Sequence, residues 1–209
     1  MAIRMKTKWH RSKRSQRNME GSRKEKTMTE LAGIISFNIW KLTREIYTNM
    51  EKDGFHFGED EQVINMFIEL IAFMIQVGDR TVYGVLDEEQ RREFVTAMAL
   101  DLANMLETNK RELLGEGEYR TEIIGKLNVR FGEYSECPFD SDGPSYEFRR
   151  LLAHSISQVM AETDNKWVLE QIMDIEVPKA LKSLQRMLKD VLGLKKRAKA
   201  ATKDDPKTS

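Results

Sequence analysis

The sequence of 209 residues contains one cysteine, three histidines and four prolines. The lone cysteine, Cys137, has no intramolecular disulfide partner, so we expect a protein of the reducing cytoplasm. Three histidines leave little material for a transition-metal site, and the Glu-x-x-His pairs of di-metal carboxylate bundles are missing. We therefore expect neither a metal site nor a bound cofactor.

Signatures of phosphate and dinucleotide binding are also missing. The glycine pair Gly115 and Gly117 lacks the preceding strand and the following glycine of a nucleotide-binding fingerprint. The start of the chain has no hydrophobic run of the signal-peptide kind, because no more than three apolar residues are consecutive there. We expect a protein that is not secreted.

Alternating runs of β-branched and aromatic residues are absent, whereas leucine, methionine, glutamate, lysine and arginine are abundant. This composition favours helix over strand. Hydrophobic residues make up 40% of the chain, which is enough for one core of ordinary size. We predict an all-α, single-domain bundle of about six helices over residues 28–194.

Charge is balanced overall but unevenly distributed. Residues 1–27 contain ten Lys or Arg against two Glu, and residues 195–209 contain six basic against two acidic residues. The stretch between them is acidic. Basic termini of this kind are usually disordered and attract phosphate-rich or acidic surfaces, the protein's own body included. We expect two disordered basic arms on an acidic domain.

The N-terminal arm combines an aromatic ring with closely spaced cations, an arrangement that can bind nucleic acid. Lysine and arginine side chains contact the phosphate backbone while the ring stacks on a base. The candidate nucleic-acid-binding residues are Lys6, Lys8, Trp9, Arg11, Lys13 and Arg14. The alternative is a solvated tail, because the acidic body would repel nucleic acid beyond the arm.

Apolar residues at spacings of three and four predict the helices. The predicted helices cover about residues 28–52, 59–84, 88–107, 119–131, 144–159 and 165–194. Asp87 is the predicted N-cap of the third helix, and Glu88 is expected to pair with Arg92 one turn later. In the last helix Trp167 and Ile175 are expected to face inward. Pro178 should end or kink that helix near Glu176.

The second predicted helix carries a line of polar residues inside the most hydrophobic stretch of the chain, ELIAFMIQVGDR. Helical spacing places Glu69, Gln76 and Asp79 along one edge, while nearly every other residue from 63 to 77 is apolar. We expect this helix at the centre of the bundle, and expect it to be too short and too polar to span a membrane. The candidate ligand-binding residues are Glu69, Gln76, Asp79 and Arg80.

Glu69 has two interpretations. As a general acid or base it needs a second titratable group, and Asp79 lies about 15 Å farther along the helix, too far to serve. The structural interpretation, which we prefer, is a polar or basic group from another helix bonded to Glu69. Cys137 would act as a nucleophile only beside a base, and the sequence identifies none.

Three stretches of the sequence resemble a group of small all-helical bacterial proteins of uncharacterised function. They are the run Ile68–Phe73, the pair Asp79 and Arg80, and the segment Tyr134–Cys137 before a long final helix pair. The resemblance covers about residues 30–190. It implies an all-helical fold in a bacterial, cytoplasmic protein, and it implies no activity and no site residues.

These features lead to three hypotheses for function. The first is a non-enzymatic interaction or accessory protein that docks another protein, or a copy of itself, at a groove beside the second helix, with the basic arms adding attraction. The second is a ligand-binding protein or enzyme with a pocket at the seam of Glu69, Gln76 and Asp79. The third is nucleic-acid binding through the N-terminal arm.

Overall fold

A computed structural model of the chain describes residues 26–160 and 165–193. The helices in these ranges are α1 (Met28–Lys52), α2 (Asp60–Val82), α3 (Glu88–Leu114), α4 (Arg120–Ser135), α5 (Tyr146–Val159), α6 (Asn165–Glu170) and α7 (Val177–Val191). A π-helical segment, Gln171–Glu176, joins α6 to α7 without a break, so the two form one long sixth helix. Two short strands, β1 (Phe139–Asp140) and β2 (Gly143–Pro144), pair in an antiparallel hairpin. The predicted all-α bundle of about six helices is confirmed.

The first helix begins and ends where the sequence predicts. Thr27 is its N-cap: the side-chain oxygen accepts a hydrogen bond from the backbone N–H of Glu30, and the Glu30 carboxylate accepts one from the N–H of Thr27. This capping box satisfies two backbone donors that a helix start leaves free. Lys52 lies in the last turn, at the negative end of the helix dipole.

The second helix occupies the centre of the bundle, as predicted. It packs against α1, α3, α4, α5 and α7, and every residue from Met66 to Gly78 is buried. Apolar side chains cover most of its circumference, so several neighbours are needed to remove them from water. Buried apolar residues of all the helices join one hydrophobic cluster around it.

The prediction that this helix is too short and too polar to span a membrane is wrong as a statement about its length and composition. Among the described residues, α2 is the one helix that is long and apolar enough to cross a membrane by length and composition. Within the bundle, 83% of its most apolar window is buried by the rest of the chain. The core helix of a bundle meets the same two criteria, because neighbouring helices cover it.

The third helix ends at Leu114 rather than near Glu107. Its last two turns contain several polar residues, and a polar stretch of this kind is also typical of a loop. In the structure Lys110 is buried, its Nζ donates to Glu122 of α4 at 2.7 Å, and it lies 4.8 Å from the ring centroid of Tyr119. Contacts with the next helix therefore extend α3 beyond the apolar pattern.

The other end of α3 follows the sequence more closely. Asp87 is the N-cap and accepts a hydrogen bond from the N–H of Gln90 at 2.8 Å. Glu88, however, pairs with Arg91 rather than with Arg92. Both spacings are accessible on a helix surface, and the bond between Arg91 and an acid of α2, described below, draws Arg91 to this side.

The final helix buries a different face from the one predicted. Trp167 and Ile175 are exposed, whereas Val168 and Glu176, each one position later, are buried. A shift of one residue turns a helix face by about 100°. The buried Glu176 carboxylate accepts hydrogen bonds from Asn49 at 3.3 Å and from Gln171 at 3.4 Å, so a charged residue occupies an inward position.

Two prolines near predicted helix boundaries have different outcomes. The last helix does not end before Pro178, but its regular α-helical geometry is interrupted up to the predicted position, Glu176: the six residues that precede α7 adopt a π-helix, and Pro178 lies in the first turn of α7. A residue without an N–H weakens the regular hydrogen-bond ladder at this point. Pro144 belongs to β2, and Ser145 caps α5 by accepting a bond from the N–H of Phe148 at 3.2 Å.

One end of the core is a cluster of aromatic rings from α2, α4, α5 and the hairpin. Tyr134 stacks on Phe148 with ring centroids 4.5 Å apart, and Phe73 meets both rings edge-on at 6.0 and 5.5 Å. Phe139 adds a further edge contact to Phe148 at 5.9 Å. The hydroxyl of Tyr134 is buried with no hydrogen-bond partner among the described residues. Burial raises the pKa of Tyr134 well above its usual value.

Replacing Tyr134 by phenylalanine is expected to raise the free energy of unfolding by about 1 kcal/mol, because the hydroxyl is desolvated without a hydrogen bond in return. Urea unfolding of the two proteins measures the difference. Tyr47→Phe is the matched control, since the Tyr47 hydroxyl donates to Glu51 at 2.7 Å and its removal should destabilise the protein. A loss of stability in Tyr134→Phe would mean that this hydroxyl has a partner.

Candidate functional site

The polar edge of α2 is bonded to neighbouring helices. Near its start, the side-chain oxygen of Asn65 accepts a hydrogen bond from Lys126 of α4 at 2.8 Å. Farther along, Glu69 also faces α4, whereas Asp79 faces the first turn of α3. The seam predicted from the sequence is therefore a set of inter-helix contacts, each to a different partner.

Glu69 is held by Arg130 of α4 in a two-pronged ion pair. Nε of Arg130 lies 2.5 Å from one carboxylate oxygen and Nη2 lies 3.0 Å from the other. Glu133 binds a third nitrogen of the same guanidinium at 2.5 Å. The hydrogen bond to Glu69 raises the pKa of Arg130 above its usual value, so this cation stays charged. The expectation of a polar or basic group from another helix is met here by the basic Arg130.

Asp79 forms an equally direct pair with Arg91 near the start of α3. Nε and Nη2 of Arg91 lie 2.7 and 2.8 Å from the two carboxylate oxygens. The guanidinium also lies 5.0 Å from the ring centroid of Tyr83. Arg80 points elsewhere, donating to the backbone carbonyl of Ser135 at 2.8 Å. It thereby fastens the end of α4 to the end of α2.

The structure does not bring the four candidate residues together around one point. Glu69 pairs with α4, Asp79 pairs with α3, and Arg80 bonds the C-terminal end of α4. Gln76, on the same helix, is buried within the bundle. The two carboxylates of the seam, Glu69 and Asp79, each have both oxygens bonded by one arginine.

A groove with a volume of about 400 Å³ runs between α2 and α4 and reaches Val159 of α5. This α2–α4 groove contains Glu69 but not Gln76, Asp79 or Arg80. It is lined by Asn65, Ile68, Glu69, Glu122, Gly125, Lys126, Val129, Arg130 and Val159. Val129 is 61% exposed at its edge, and a side chain added at Gly125 would meet nothing within 4 Å.

The charged side chains of the α2–α4 groove are already bonded to one another. Glu122 accepts hydrogen bonds from Lys110 at 2.7 Å and from Lys126 at 2.6 Å. These two bonds lower the pKa of the Glu122 carboxyl. Arg130 is shared by Glu69 and Glu133. The part of the groove that remains without a partner is its apolar surface.

Sequence reasoning missed the α4 side of this groove. The signal was present, because Glu122, Lys126 and Arg130 recur every four residues on one face of the fourth predicted helix. That pattern also fits an ordinary solvated face. Only the packing of α4 against α2 turns the lysine toward Asn65 and the arginine toward Glu69.

Metal binding and nucleophilic catalysis find little support in the described part of the chain. In residues 26–160 and 165–193 no group of three or more His, Cys, Asp or Glu side chains is placed to hold a metal ion. Burial raises the pKa of the Cys137 thiol, which is opposite to the activation a nucleophile needs. The charged side chains that act on this thiol are those of Glu147, Arg80, Glu133 and Glu136.

Comparison with protein-family models, curated proteins and solved structures gives no match for this chain. The resemblance to small helical bacterial proteins therefore stays a prediction, as does the cytoplasmic location.

The candidate nucleic-acid-binding residues Lys6, Lys8, Trp9, Arg11, Lys13 and Arg14 lie outside the described residues. The C-terminal arm, 195–209, lies outside them as well. Binding of nucleic acid by the N-terminal arm remains a hypothesis that composition alone supports.

Proposed function

We propose that this protein is a non-enzymatic interaction protein that docks a helix of another protein in the α2–α4 groove. The observation that carries the proposal is the contrast within that groove: its charged groups are paired with one another, while apolar surface at Val129 and open space at Gly125 face outward. A surface of this kind is suited to binding by apolar burial and shape.

A small-molecule site would need different surroundings. Ligand pockets combine an apolar lining with a few convergent polar groups that fix the orientation of the ligand. In the α2–α4 groove, Glu69 has both oxygens occupied by Arg130, and Glu122 is shared by two lysines. A ligand bonded to either carboxylate would share it with an existing ion pair, whereas apolar contacts at Val129 would disturb none, and this contrast supports a protein partner over a substrate.

The shape of α4 also favours a helix as the occupant. Gly125 and Gly132 lie on the exposed side of α4 at positions four before and three after Val129. A glycine inside a helix costs about 1 kcal/mol relative to alanine. In return it lets another backbone approach closely, with Val129 between the two glycines as an apolar anchor. The matching partner is an amphipathic helix with apolar residues at i, i+3 or i+4, and i+7.

The location of the partner is tested by a photoreactive amino acid at position 129 of the full-length protein, expressed in the cells from which the sequence comes. A matched protein carries the photoreactive group at position 85, because Val85 is also exposed, at 42%, but lies in the turn between α2 and α3. We expect a discrete cross-link to one other protein from position 129 only. No cross-link, or a cross-link between two copies of this chain, overturns the proposal.

With the cross-linked partner in hand, Val129→Glu is expected to weaken its affinity by about tenfold or more, because a charge would be buried in the interface. Val85→Glu adds the same charge at another exposed valine, outside the groove, and should leave the affinity unchanged. Isothermal titration calorimetry of the three proteins measures the difference. Equal affinities for wild type and Val129→Glu would exclude this groove as the docking site.

A further inference from the structure

A second groove, with a volume of about 590 Å³, lies between α1 and α3. Its lining residues share an acidic and partly apolar character: Thr29, Glu89, Arg92, Glu93, Thr96, Ala97, Leu100 and Asp101. Three carboxylates stand against one cation, and Leu100 is 42% exposed. This α1–α3 groove therefore offers negative charge together with apolar surface, unlike the α2–α4 groove with its paired charges.

The carboxylate of Asp101, at one end of the groove, is half-buried. It forms no hydrogen bond or ion pair with any described residue, and one oxygen lies beside the backbone of α1, 3.5 Å from where a side chain at Gly33 would start. Burial raises the pKa of Asp101, as expected for a carboxylate without a compensating cation. A positive group brought into the groove would relieve this cost.

We propose that the basic segment 1–25 of the same chain binds in the α1–α3 groove. The segment contains nine Lys or Arg residues and two Glu, so its charge complements the groove. It joins the body at residue 26, and Thr29, only three residues later, already lines the groove. Three residues span at most about 10 Å, so attachment next to the groove holds the segment at a high local concentration.

The dimensions of the groove suit an extended segment of this chain. From Glu89 to Asp101 the groove follows α3 for about 18 Å, a length that about six extended residues cover. Lysine and arginine side chains would reach Glu89 and Asp101. Trp9 supplies an aromatic ring that matches the apolar surface of Leu100.

Charge also discriminates between this groove and a third one. A groove of about 450 Å³ between α5 and α7 is lined by the basic side chains of Arg149, Lys182, Arg186 and Lys189. Two carboxylates, from Asp142 and Asp190, only partly offset them. That surface repels a basic segment, so charge favours the α1–α3 groove over the groove between α5 and α7.

Limited trypsin digestion of the full-length protein tests the proposal, because trypsin cuts after the lysines and arginines of the segment. Mass spectrometry follows the loss of peptides that precede Lys26. The test variant is Glu89→Gln/Asp101→Asn, and we expect its segment to be cut about fivefold faster than that of the wild type at about 50 mM salt. At about 500 mM salt, where charges are screened, the two rates should converge.

The matched control is Glu116→Gln/Glu118→Gln, which removes the same charge beyond the far end of α3. It should be cut at the wild-type rate. Equal cleavage of the wild type and both variants at low salt overturns the proposal, as does equal acceleration in both variants. Protection that increases with protein concentration and accompanies a dimer overturns it too, because the segment would then bind a second copy of the chain.

Discussion

Replacing Arg130 by methionine is expected to lower the free energy of unfolding by about 3 kcal/mol. The Glu69 side chain is only 9% exposed and Arg130 is 21% exposed, so the change leaves a nearly buried carboxylate without the cation that binds both of its oxygens. The hydrophobic stem of the arginine is retained by methionine, which confines the change to the charged head. Urea unfolding followed by circular dichroism measures the difference.

Two further variants distinguish the loss of the Glu69–Arg130 ion pair from the general effect on stability of replacing an arginine by methionine. Arg120→Met removes a more exposed arginine of the same helix, which bonds Asn104 and lies 3.6 Å from Glu107, and should cost less than about 1 kcal/mol. The double variant Glu69→Met/Arg130→Met removes both charges and should return to within about 1 kcal/mol of the wild type. If Arg130→Met and Arg120→Met have equal effects, the Glu69 pair does not matter for stability.

Replacing Phe73 by alanine is expected to cost about 4 kcal/mol, the largest effect predicted for this protein. The ring is buried in α2 and packs edge-on against Tyr134 and Phe148, which are stacked on each other. Its removal leaves a cavity between α2, α4 and α5. The remaining two rings cannot fill this cavity without leaving their stacked arrangement. Urea unfolding again gives the free energy.

The matched control for Phe73→Ala is Leu100→Ala, a truncation of a large apolar side chain that is partly exposed on α3. It should change the free energy of unfolding by less than about 1 kcal/mol. Combining Phe73→Ala with Phe148→Ala should cost less than the sum of the single changes, because the two rings share one contact. Strict additivity would show that the rings are energetically independent.

Part of the surroundings of Glu69 could be predicted. The polar line on α2 and a polar or basic partner for Glu69 from another helix followed from the sequence, since a buried acid is seldom left without one. The identity of that partner did not follow, because several arginines lie on predicted helices and periodicity does not tell which faces which. Arg130, Lys126 and the exposed Val129 became site residues only when α4 packed beside α2.

The errors in the last helix are errors of phase. Helical spacing placed Trp167 and Ile175 inside, but the buried positions are Val168 and Glu176, each one residue later, so the whole face is turned by about 100°. Glu176 then occupies an inward position, where Asn49 and Gln171 bond it. From the sequence alone, a charged residue at such a position is predicted to be exposed, because the partners that allow its burial lie elsewhere in the chain.

By itself, the sequence determined the helical class of the fold, the central position of the most apolar helix and most of the helix starts. These depend on contacts within a few residues: apolar spacing, and caps such as Thr27 and Asp87. Tertiary structure alone decided the end of α3, the face of the last helix and the pairing across the α2–α4 groove. Each of these depends on how residues far apart in the chain meet, and no local pattern encodes the rotation of one helix against another.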